Sequence, residues 1–316
     1  MNLVHKAKIY AEKHFEGITE KNPEKTPYIN HLQRVAELVE LSGGSDIEVA
    51  AAWLHDIVED TPVTIAQVQK EFGQGVTLIV EGLTDKAEYS QLTVQEKKQR
   101  QAARLISETD SAKRVKLADQ ISAVEIDTRN SLLSIDHRLM YVQGAKKIAD
   151  ICLGISELLD NEFKKAHLEA SKRLELESLA NTVTEFIEFF NQDKDHGQLV
   201  YPEWTAKDIL GHITFWHESF ARNLRDVAEG RTAKPLRGSL TDVNVTSVES
   251  TRSVSIEDLC QRLRDAQQII ARYILDGNIE KIPYKVGSRD YAPLEHLEVV
   301  ISHIQKHLQD VSKKYK

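Results

Sequence analysis

Residues 51–61 of the chain read Ala51-Ala52-Trp53-Leu54-His55-Asp56-Ile57-Val58-Glu59-Asp60-Thr61. The apolar first half is typical of a buried helix, whereas the second half carries four ionisable side chains within six residues. Pro62 follows and disfavours the α conformation at Thr61, so the helix should end there. Because burying unpaired charge is costly, this cluster indicates a metal ion or another neutralising partner.

The spacing of the cluster suits hydrolytic chemistry. Glu59 is four residues after His55 and three after Asp56, which places it on the side of both in a helix. A cation held by His55 and Asp56 would have a carboxylate beside it that can take a proton from a bound water. A solvated acidic helix end is the alternative that this segment leaves open, since short motifs also match by chance.

Length and composition favour a two-domain globular protein. The chain has 316 residues, of which 41% are hydrophobic and 28% charged, as expected for soluble domains with an ample core. The net charge of −8 argues against a nucleic-acid polymer as partner, because such binding rests on phosphate neutralisation. A small phosphorylated substrate needs only a local basic patch and stays open.

Three features of the sequence predict a cytoplasmic protein. No apolar run approaches the ~18 residues of a membrane span. The start of the chain lacks the basic-then-apolar pattern of a signal peptide. Cys152 and Cys260 lie far apart within helical patterns, which indicates neither a disulfide framework nor a zinc site.

Helical periodicity dominates the first half of the chain. We predict helices at about 28–41, with His31 on the inward face, from Asp46 through the cluster, and at about 94–109. Residues 76–83 could form a strand by composition, but apolar residues at intervals of three and four favour a helix. Residues 85–93 are predicted to be a polar loop, and 148–159 the closing helix of the first domain.

Four motifs carry a family resemblance: Tyr28-Ile29-Asn30-His31, Leu54-His55-Asp56, Glu59-Asp60-Thr61 and Lys116-Leu117-Ala118-Asp119. In order and spacing they resemble the HD-type hydrolase domain of the RelA/SpoT family, in particular its small, stand-alone alarmone hydrolases. The resemblance covers roughly residues 1–170. It implies an all-α domain that removes the 3′-pyrophosphate from guanosine tetra- or pentaphosphate.

The same resemblance implies roles for individual residues. The metal, usually Mn²⁺, would be held by four ligands: His31, His55, Asp56 and Asp119. Glu59 and Asp60 match the pair that orients and activates the attacking water. Three further residues are candidates for contact with the phosphates or the nucleoside: Lys21, Arg138 and Tyr141. For these three, ordinary surface charge is the alternative.

Two positions depart from the family pattern and bear on the substrate. Glu20 stands where the family commonly has an Arg that lies against the base, and Ala123 stands where it usually has an Asn near the sugar. Hydrolysis of a phosphoester or phosphoanhydride is therefore better supported than one particular nucleotide. A phosphatase acting on another nucleotide such as NADPH stays open, as does a catalytically reduced nucleotide sensor that controls the second half.

The second half of the chain predicts a four-helix bundle. Amphipathic helices are expected at about 173–191, 205–230, 255–275 and from Pro293 to the C-terminus, with a long connection at 231–254. We therefore divide the chain into an HD-type hydrolase domain, 1–172, and a helical bundle, 173–316. Thr205 and Ser255, each followed three residues later by an Asp, are predicted to begin their helices.

Three histidines of the bundle form a candidate second metal site. His212 shares a helix face with apolar residues, and His303 and His307 are one turn apart on the last helix. Three imidazoles around one point suit Zn²⁺, Ni²⁺ or iron. Satisfied core histidines are the alternative, and for His217 and His296 we take the structural interpretation.

Residues 201–212 and His303-Ile304-Gln305-Lys306-His307 resemble the DinB-like four-helix bundle superfamily, in particular its ClbS/DfsB branch. That branch is similar to proteins tied to stress or toxin protection. The resemblance implies a metal triad of His212, His303 and His307. It leaves three roles open for the bundle: catalysis, ligand binding, and a surface for homodimer formation.

Overall fold

The computed structural model describes residues 2–315, and through them the regular elements are thirteen α-helices and one 3₁₀ helix, Ala87–Gln91. The α-helices are α1 (Leu3–His14), α2 (Ile29–Leu41), α3 (Asp46–Leu54), α4 (Ile57–Asp60), α5 (Ile65–Leu83), α6 (Val94–Leu105), α7 (Asp110–Asp127), α8 (Ile135–Cys152), α9 (Glu157–Phe190), α10 (Ala206–Ala228), α11 (Leu240–Glu249), α12 (Ile256–Tyr273) and α13 (Pro293–Lys314). The predicted all-α class is confirmed. None of these described helices is both long enough and apolar enough to cross a membrane.

The chain divides into two units, Met1–Ser171 and Lys172–Lys316, and α9 contributes residues to both. In the first unit, α3 forms the centre because every residue of Val49–Leu54 is buried. Around it pack α1, α2, α5 and α7. A central helix that is apolar on all sides is buried completely only when other helices surround it.

The chain turns at the end of α3, and this turn places the acidic cluster. Asp56 leaves the helical conformation, with φ −100° and ψ 1°, and one further turn of helix, α4, follows. Thr61 is extended, with φ −134° and ψ 168°, as expected for a residue that precedes a proline. His55 and Asp56 therefore lie at a helix break rather than within one continuous helix.

Capping residues set the starts of several helices. Ser45, Thr64 and Thr93 each form a capping box with the residue three positions later, which satisfies N–H groups that a helix start leaves unpaired. The helical prediction for residues 76–83 is confirmed within α5. Gly73 breaks α5 into two segments, since its φ of +79° is one that glycine adopts readily.

Three predictions of local structure were wrong in part. The helix predicted at 148–159 is interrupted: α8 ends at Cys152, Gly154 has φ +89°, and α9 begins at Glu157. The predicted loop at 85–93 contains the 3₁₀ helix. The long connection at 231–254 contains α11, which Ser239 starts with a capping box that includes Asp242. In each case the hydrogen bonds of a turn or a helix cap set the local structure, which apolar periodicity alone does not reveal.

The second unit is built from four long helices around one apolar core. Its buried residues come from the C-terminal half of α9 and from α10, α12 and α13, and include Phe186, Ile209, Leu263 and Ile304. Thr205 begins α10 with the predicted capping box. Helix α10 packs against α11, α12 and α13, so the face that carries His212 lies inside the unit.

Candidate metal centres

The first cluster joins side chains from α2, the α3–α4 break and α7. The Nε2 atom of His31 lies 3.6 Å from Asp56 Oδ2 and 3.5 Å from Asp119 Oδ1. The Nε2 atom of His55 lies 3.0 Å from Asp56 Oδ2 and 3.9 Å from Asp119 Oδ1. One donor atom each of His31, His55 and Asp56 lies within 4.8 Å of the others. The structure thus brings the four predicted ligands together.

Hydrogen bonds to the far side of each imidazole orient it toward the cluster. His55 Nδ1 lies 2.8 Å from the Ala52 carbonyl oxygen, so this nitrogen carries the proton and donates it. His55 Nε2, on the other side of the ring, faces the cluster and is buried without a hydrogen-bond partner among the described residues. His31 Nδ1 contacts the Ser122 hydroxyl at 2.8 Å. Such outward bonds are typical of metal-ligating histidines, and the unpartnered Nε2 fits a divalent cation.

Neighbouring groups hold both carboxylates in place. The Tyr28 hydroxyl donates to Asp56 Oδ2 at 2.6 Å. Lys116 Nζ lies 2.7 Å from Asp119 Oδ2, and the Gln120 amide donates to the same oxygen at 3.0 Å. The second oxygen of Asp119, Oδ1, is the one that faces the imidazoles. Each carboxylate is thus fixed in one orientation before any ion binds.

Electrostatics inside the cluster are strongly coupled. Burial alone would lower the pKa of His31, but hydrogen bonds to Asp119 and Asp56 raise it to about 10. Burial also opposes protonation of His55, but the charge and hydrogen bond of Asp56 and the charge of Asp119 together raise its pKa. Burial opposes ionisation of Asp56, yet the two histidines hold its pKa well below the usual range. The cluster is therefore built for positive charge at its centre.

The two predicted water-handling residues lie beside the ligands. Glu59 is accessible at the cavity wall, and partial desolvation of its carboxyl group, followed by repulsion from Asp56, raises its pKa to about 7. Its Oε1 accepts a hydrogen bond from the Asp85 backbone N–H at 2.7 Å. Burial and then Asp56 likewise raise the pKa of Asp60. A carboxylate whose pKa is near neutrality is suited to accept and release a proton.

A cavity of about 570 Å³ opens over this cluster, and its lining residues include Glu59, Asp60 and Asp119. Lys21 and Tyr141 also line it, as predicted for substrate contact. Tyr141 lies beneath the Lys98 ammonium, 4.0 Å from ring centroid to Nζ. The size is sufficient for a nucleotide.

Arg138, the third predicted substrate residue, has a different environment. It is buried, does not line the cavity, and donates from Nη1 to the Thr128 carbonyl at 3.1 Å. That bond ties α8 to the end of α7. The two departures from the family pattern, Glu20 and Ala123, both line the cavity.

Several residues that hold the site were not predicted from the sequence. Lys116 stands three residues before Asp119, and this helical spacing was a signal that could have found it. Tyr28 binds Asp56, 28 positions away, and no local spacing indicates that contact. Asp85 gave no such signal. It lies in an irregular segment, where it binds Lys97 at 3.1 Å and places its N–H on Glu59.

Comparison with known proteins agrees with this geometry. A sequence model described as an HD domain matches residues 7–156. The mouse guanosine-3′,5′-bis(diphosphate) 3′-pyrophosphohydrolase MESH1 is 34% identical over 167 residues, which cover 52% of this chain and 91% of the mouse protein. The chain belongs to the MESH1 family of HD-domain proteins.

Two further relatives extend the comparison of the HD domain. The MESH1 protein of Xenopus tropicalis is 42% identical over 121 residues, 38% of this chain, and the match spans 65% of the frog protein. A solved structure described as a metazoan ortholog of SpoT that hydrolyses ppGpp is 27% identical. It covers 54% of this chain and 96% of its own, with a TM-score of 0.49. The HD-domain match ends at residue 156, before the second unit begins.

The second cluster lies outside the HD domain, between α10 and α13. His303 Nε2 lies 3.1 Å from His212 Nε2 and 3.1 Å from His307 Nε2. The structure therefore brings the three predicted histidines of the bundle to one point, each through the same ring atom. No carboxylate belongs to this group among the described residues.

Outward hydrogen bonds again fix two of these imidazoles. His212 Nδ1 contacts Ser247 Oγ at 2.9 Å, and that hydroxyl donates to the Asn244 carbonyl, so Nδ1 must carry the proton. The Tyr201 hydroxyl donates to Asp310 at 2.7 Å and lies 3.0 Å from His307 Nδ1, which must therefore donate to it. Both Nε2 atoms are left with lone pairs directed at the cluster.

Burial keeps the second cluster neutral. Burial and then the neighbouring imidazoles lower the pKa of His212 to about 2 and that of His303 to about 4. Burial lowers the pKa of His307 to about 4. Converging neutral Nε2 atoms repel one another through their lone pairs unless a proton or a cation lies between them, and this donor set fits a borderline divalent metal.

Proposed function

We propose that the HD domain is a divalent-metal-dependent hydrolase that removes the 3′-pyrophosphate from guanosine-3′,5′-bis(diphosphate). The observation that carries the proposal is the convergence of His31, His55, Asp56 and Asp119 around the unpartnered His55 Nε2. Membership of the MESH1 family supplies the reaction class. Phosphate hydrolysis is thus the chemistry that both the site and the relatives support.

Two imidazoles and two carboxylates would hold the metal, and we propose Mn²⁺ because this mixed nitrogen and oxygen set suits a harder ion than zinc. When bound, the ion supplies Lewis-acid stabilisation of phosphoryl charge and lowers the pKa of a water. Tyr28 and Lys116 keep the carboxylates oriented for it.

Glu59 is the proposed general base. Its raised pKa and its place on the cavity wall allow it to accept the proton of the attacking water. The Asp85 N–H holds Oε1 and leaves Oε2 for that water. Asp60, in the same wall, orients the water as a second acceptor.

The cavity is suited to an anionic nucleotide although the chain is acidic overall. Lys21, Lys97 and Lys116 line it and supply positive charge. We propose that these lysines contact phosphate and that Tyr141 contacts the nucleoside. Arg138 is left out of this proposal because its guanidinium binds a backbone carbonyl away from the cavity.

The test incubates purified protein with Mn²⁺ and a panel that includes guanosine-3′,5′-bis(diphosphate) and NADPH, and measures released pyrophosphate and phosphate. We expect pyrophosphate from the guanosine nucleotide. Glu59→Gln should lower turnover by ~10²–10⁴-fold while Mn²⁺ binding is retained. The matched control is Glu81→Gln, an exposed position on α5, which should leave turnover unchanged.

Other outcomes would identify the alternatives. Phosphate released from NADPH in place of pyrophosphate would contradict the alarmone substrate and support a phosphatase of another nucleotide. Tight nucleotide binding without any release would replace the enzyme with a nucleotide-sensing domain. Full turnover in Glu59→Gln would remove this residue from the mechanism.

For the C-terminal unit we propose a divalent metal site formed by His212, His303 and His307, in a DinB-like bundle of the ClbS/DfsB type. The three Nε2 atoms at 3.1 Å favour this over satisfied core histidines, since two of them have no proton to share. Titration with Co²⁺ should give a visible absorption spectrum that His303→Ala abolishes. We also propose that the protein forms a homodimer, and sedimentation of the same samples tests this. We further propose a cytoplasmic location, which the two buried free cysteines support because thiols stay reduced there.

A further inference from the structure

A cavity of about 430 Å³ adjoins the three histidines of the C-terminal unit. Its walls come mainly from α10, α11, α13 and the segment that precedes α13. Four aromatic residues contribute to these walls: Trp204, Trp216, Phe220 and Tyr284. The size is in the range of cavities that hold small organic molecules, ~300–1,000 Å³.

The aromatic walls are fixed in position. Trp216 stacks on Tyr284 with ring centroids 5.0 Å apart, and its indole N–H donates to Asn244 at 3.1 Å. Phe220 stacks on His296 at 3.8 Å. Because these rings already have partners, the cavity is a preformed space whose walls need little rearrangement to receive a ligand.

Very little charge faces this space. Among the described residues that line it, Lys306 is the one member of the Asp, Glu, Lys and Arg classes, and it is exposed. Burial lowers the pKa of His217 to about 4 and that of His296 to about 3, so both are neutral near pH 7. Away from the three-histidine cluster and Lys306, the described lining offers no charge that would compensate an ionic ligand for its lost hydration.

Several side chains of the lining also carry buried polar atoms. Three lining side chains each have a buried atom without a hydrogen-bond partner among the described residues: His217 Nδ1, Asn223 Oδ1 and His296 Nδ1. Because these atoms are enclosed by the protein, they bear on the packing of the wall, and the structural interpretation of His217 and His296 stays a prediction.

We propose that this cavity binds an uncharged, predominantly apolar small molecule with a flat ring, whose polar end reaches the three-histidine cluster. Aromatic walls favour the ring, and the low wall charge favours neutrality. The position of the polar end rests on the metal site proposed above. Binding of the apolar ring does not depend on that metal, so an experiment can contradict the metal site and still support the apolar ligand site.

The first experiment uses the full chain loaded with Co²⁺ and compares two probes, imidazole and 4-phenylimidazole. Difference spectra against His303→Ala isolate the signal of this cluster. Burying the phenyl group should make 4-phenylimidazole bind at least ~10-fold more tightly than imidazole, because the ring moves from water into an apolar cavity. Equal affinities would overturn the proposal that a ring binds in the cavity while the polar end of the same ligand reaches the metal.

Matched variants on α11 locate the binding. Leu240 lines the cavity and is 53% exposed, whereas Val245 is 46% exposed and does not line it. Leu240→Trp should fill the mouth of the cavity and remove the advantage of 4-phenylimidazole, while Val245→Trp should preserve it. Both substitutions are at exposed positions, so folding should be kept in each.

The second experiment tests ligand binding in the cavity in the absence of metal. With EDTA present, the neutral dye N-phenyl-1-naphthylamine should fluoresce with the wild type and with Val245→Trp, and at least ~10-fold less with Leu240→Trp. Equal emission from the two variants would overturn the cavity proposal. Absence of a Co²⁺ spectrum together with dye binding at the cavity would overturn the metal site and leave the apolar ligand site standing.

Discussion

The two histidine clusters of this chain differ in their electrostatic surroundings rather than in how their rings are held. In both, Nδ1 atoms bond outward and Nε2 atoms converge. At the HD site, two carboxylates raise the pKa of His31 to about 10. In the bundle no carboxylate joins the group among the described residues, and burial lowers the pKa of His212 to about 2.

This difference indicates how each site should choose its ion. The HD site offers oxygen and negative charge, which favour a harder ion. The bundle offers three neutral nitrogens, which favour a borderline ion such as Zn²⁺ or Ni²⁺. One chain can therefore carry two metals with separate chemistry, and variants can address one site at a time.

The largest expected effect comes from removing one ligand at each site. His55→Ala should lower nucleotide hydrolysis by more than the ~10²–10⁴-fold that loss of a general base causes. The reason is that it leaves the metal with an incomplete ligand set. His303→Ala should leave hydrolysis unchanged and abolish the Co²⁺ spectrum of the bundle. Steady-state kinetics and metal titration of both variants check this. If His303→Ala also stopped hydrolysis, the separation of the two sites would be contradicted.

Much of the HD site could be predicted because its ligands fall in local patterns. Pro62 fixes the end of the helix after Asp60, and the apolar run of 49–54 fixes which helix is central. The proximity of His31 and Asp119 to that helix is a long-range contact, and it was predicted only from the resemblance to a known family. No periodicity in one segment could give this, because it depends on tertiary packing of α2 and α7 against α3.

What sequence reasoning did not find depends on irregular backbone or on distant contacts. The Asp85 N–H reaches Glu59 from the segment after α5, across 26 positions. Arg138 was expected at the substrate, but its buried position and its bond to Thr128 could be known only from the packing of α8. The bundle cavity combines walls from Trp216 and Tyr284, whose stacking no sequence pattern indicates.

The second prediction concerns stability and pH in the C-terminal unit. The folded pKa of His217, about 4, is below the ~6.5 of an unfolded histidine, so the unfolded state binds more protons between these values. The stability that neutral His217 contributes is complete above about pH 6.5 and is lost as the pH falls toward 4. The loss approaches about 3 kcal/mol.

His217→Gln tests this prediction because it keeps a donor for Gln267 and cannot titrate. Urea unfolding with EDTA is followed by tryptophan fluorescence in a Trp53→Phe background, so that the signal comes from Trp204 and Trp216 of this unit. We expect the wild type to lose more stability than the variant between about pH 7.5 and 4.5. An equal loss in both proteins would show that folding does not lower the pKa of His217.

The smallest expected effect is also the most direct test of the electrostatic comparison. At about pH 7.5, metal binding at the HD site must displace the proton of His31, whose pKa is about 10. Metal binding at the bundle displaces almost none, because the pKa values of its histidines are about 4 or lower. HD-site affinity should therefore rise about tenfold per pH unit while bundle affinity stays nearly constant.

Isothermal calorimetry in buffers with different ionisation enthalpies counts the protons. Mn²⁺ titrated into His303→Ala should release roughly one proton per ion, and Zn²⁺ titrated into His55→Ala should release close to none. A similar release in both variants would mean that the carboxylates of the first cluster do not hold its imidazoles in the charged form. The two sites would then differ only in the type of their ligand atoms. Their functions would be separated by which ion each site binds, and not by the pH at which it binds.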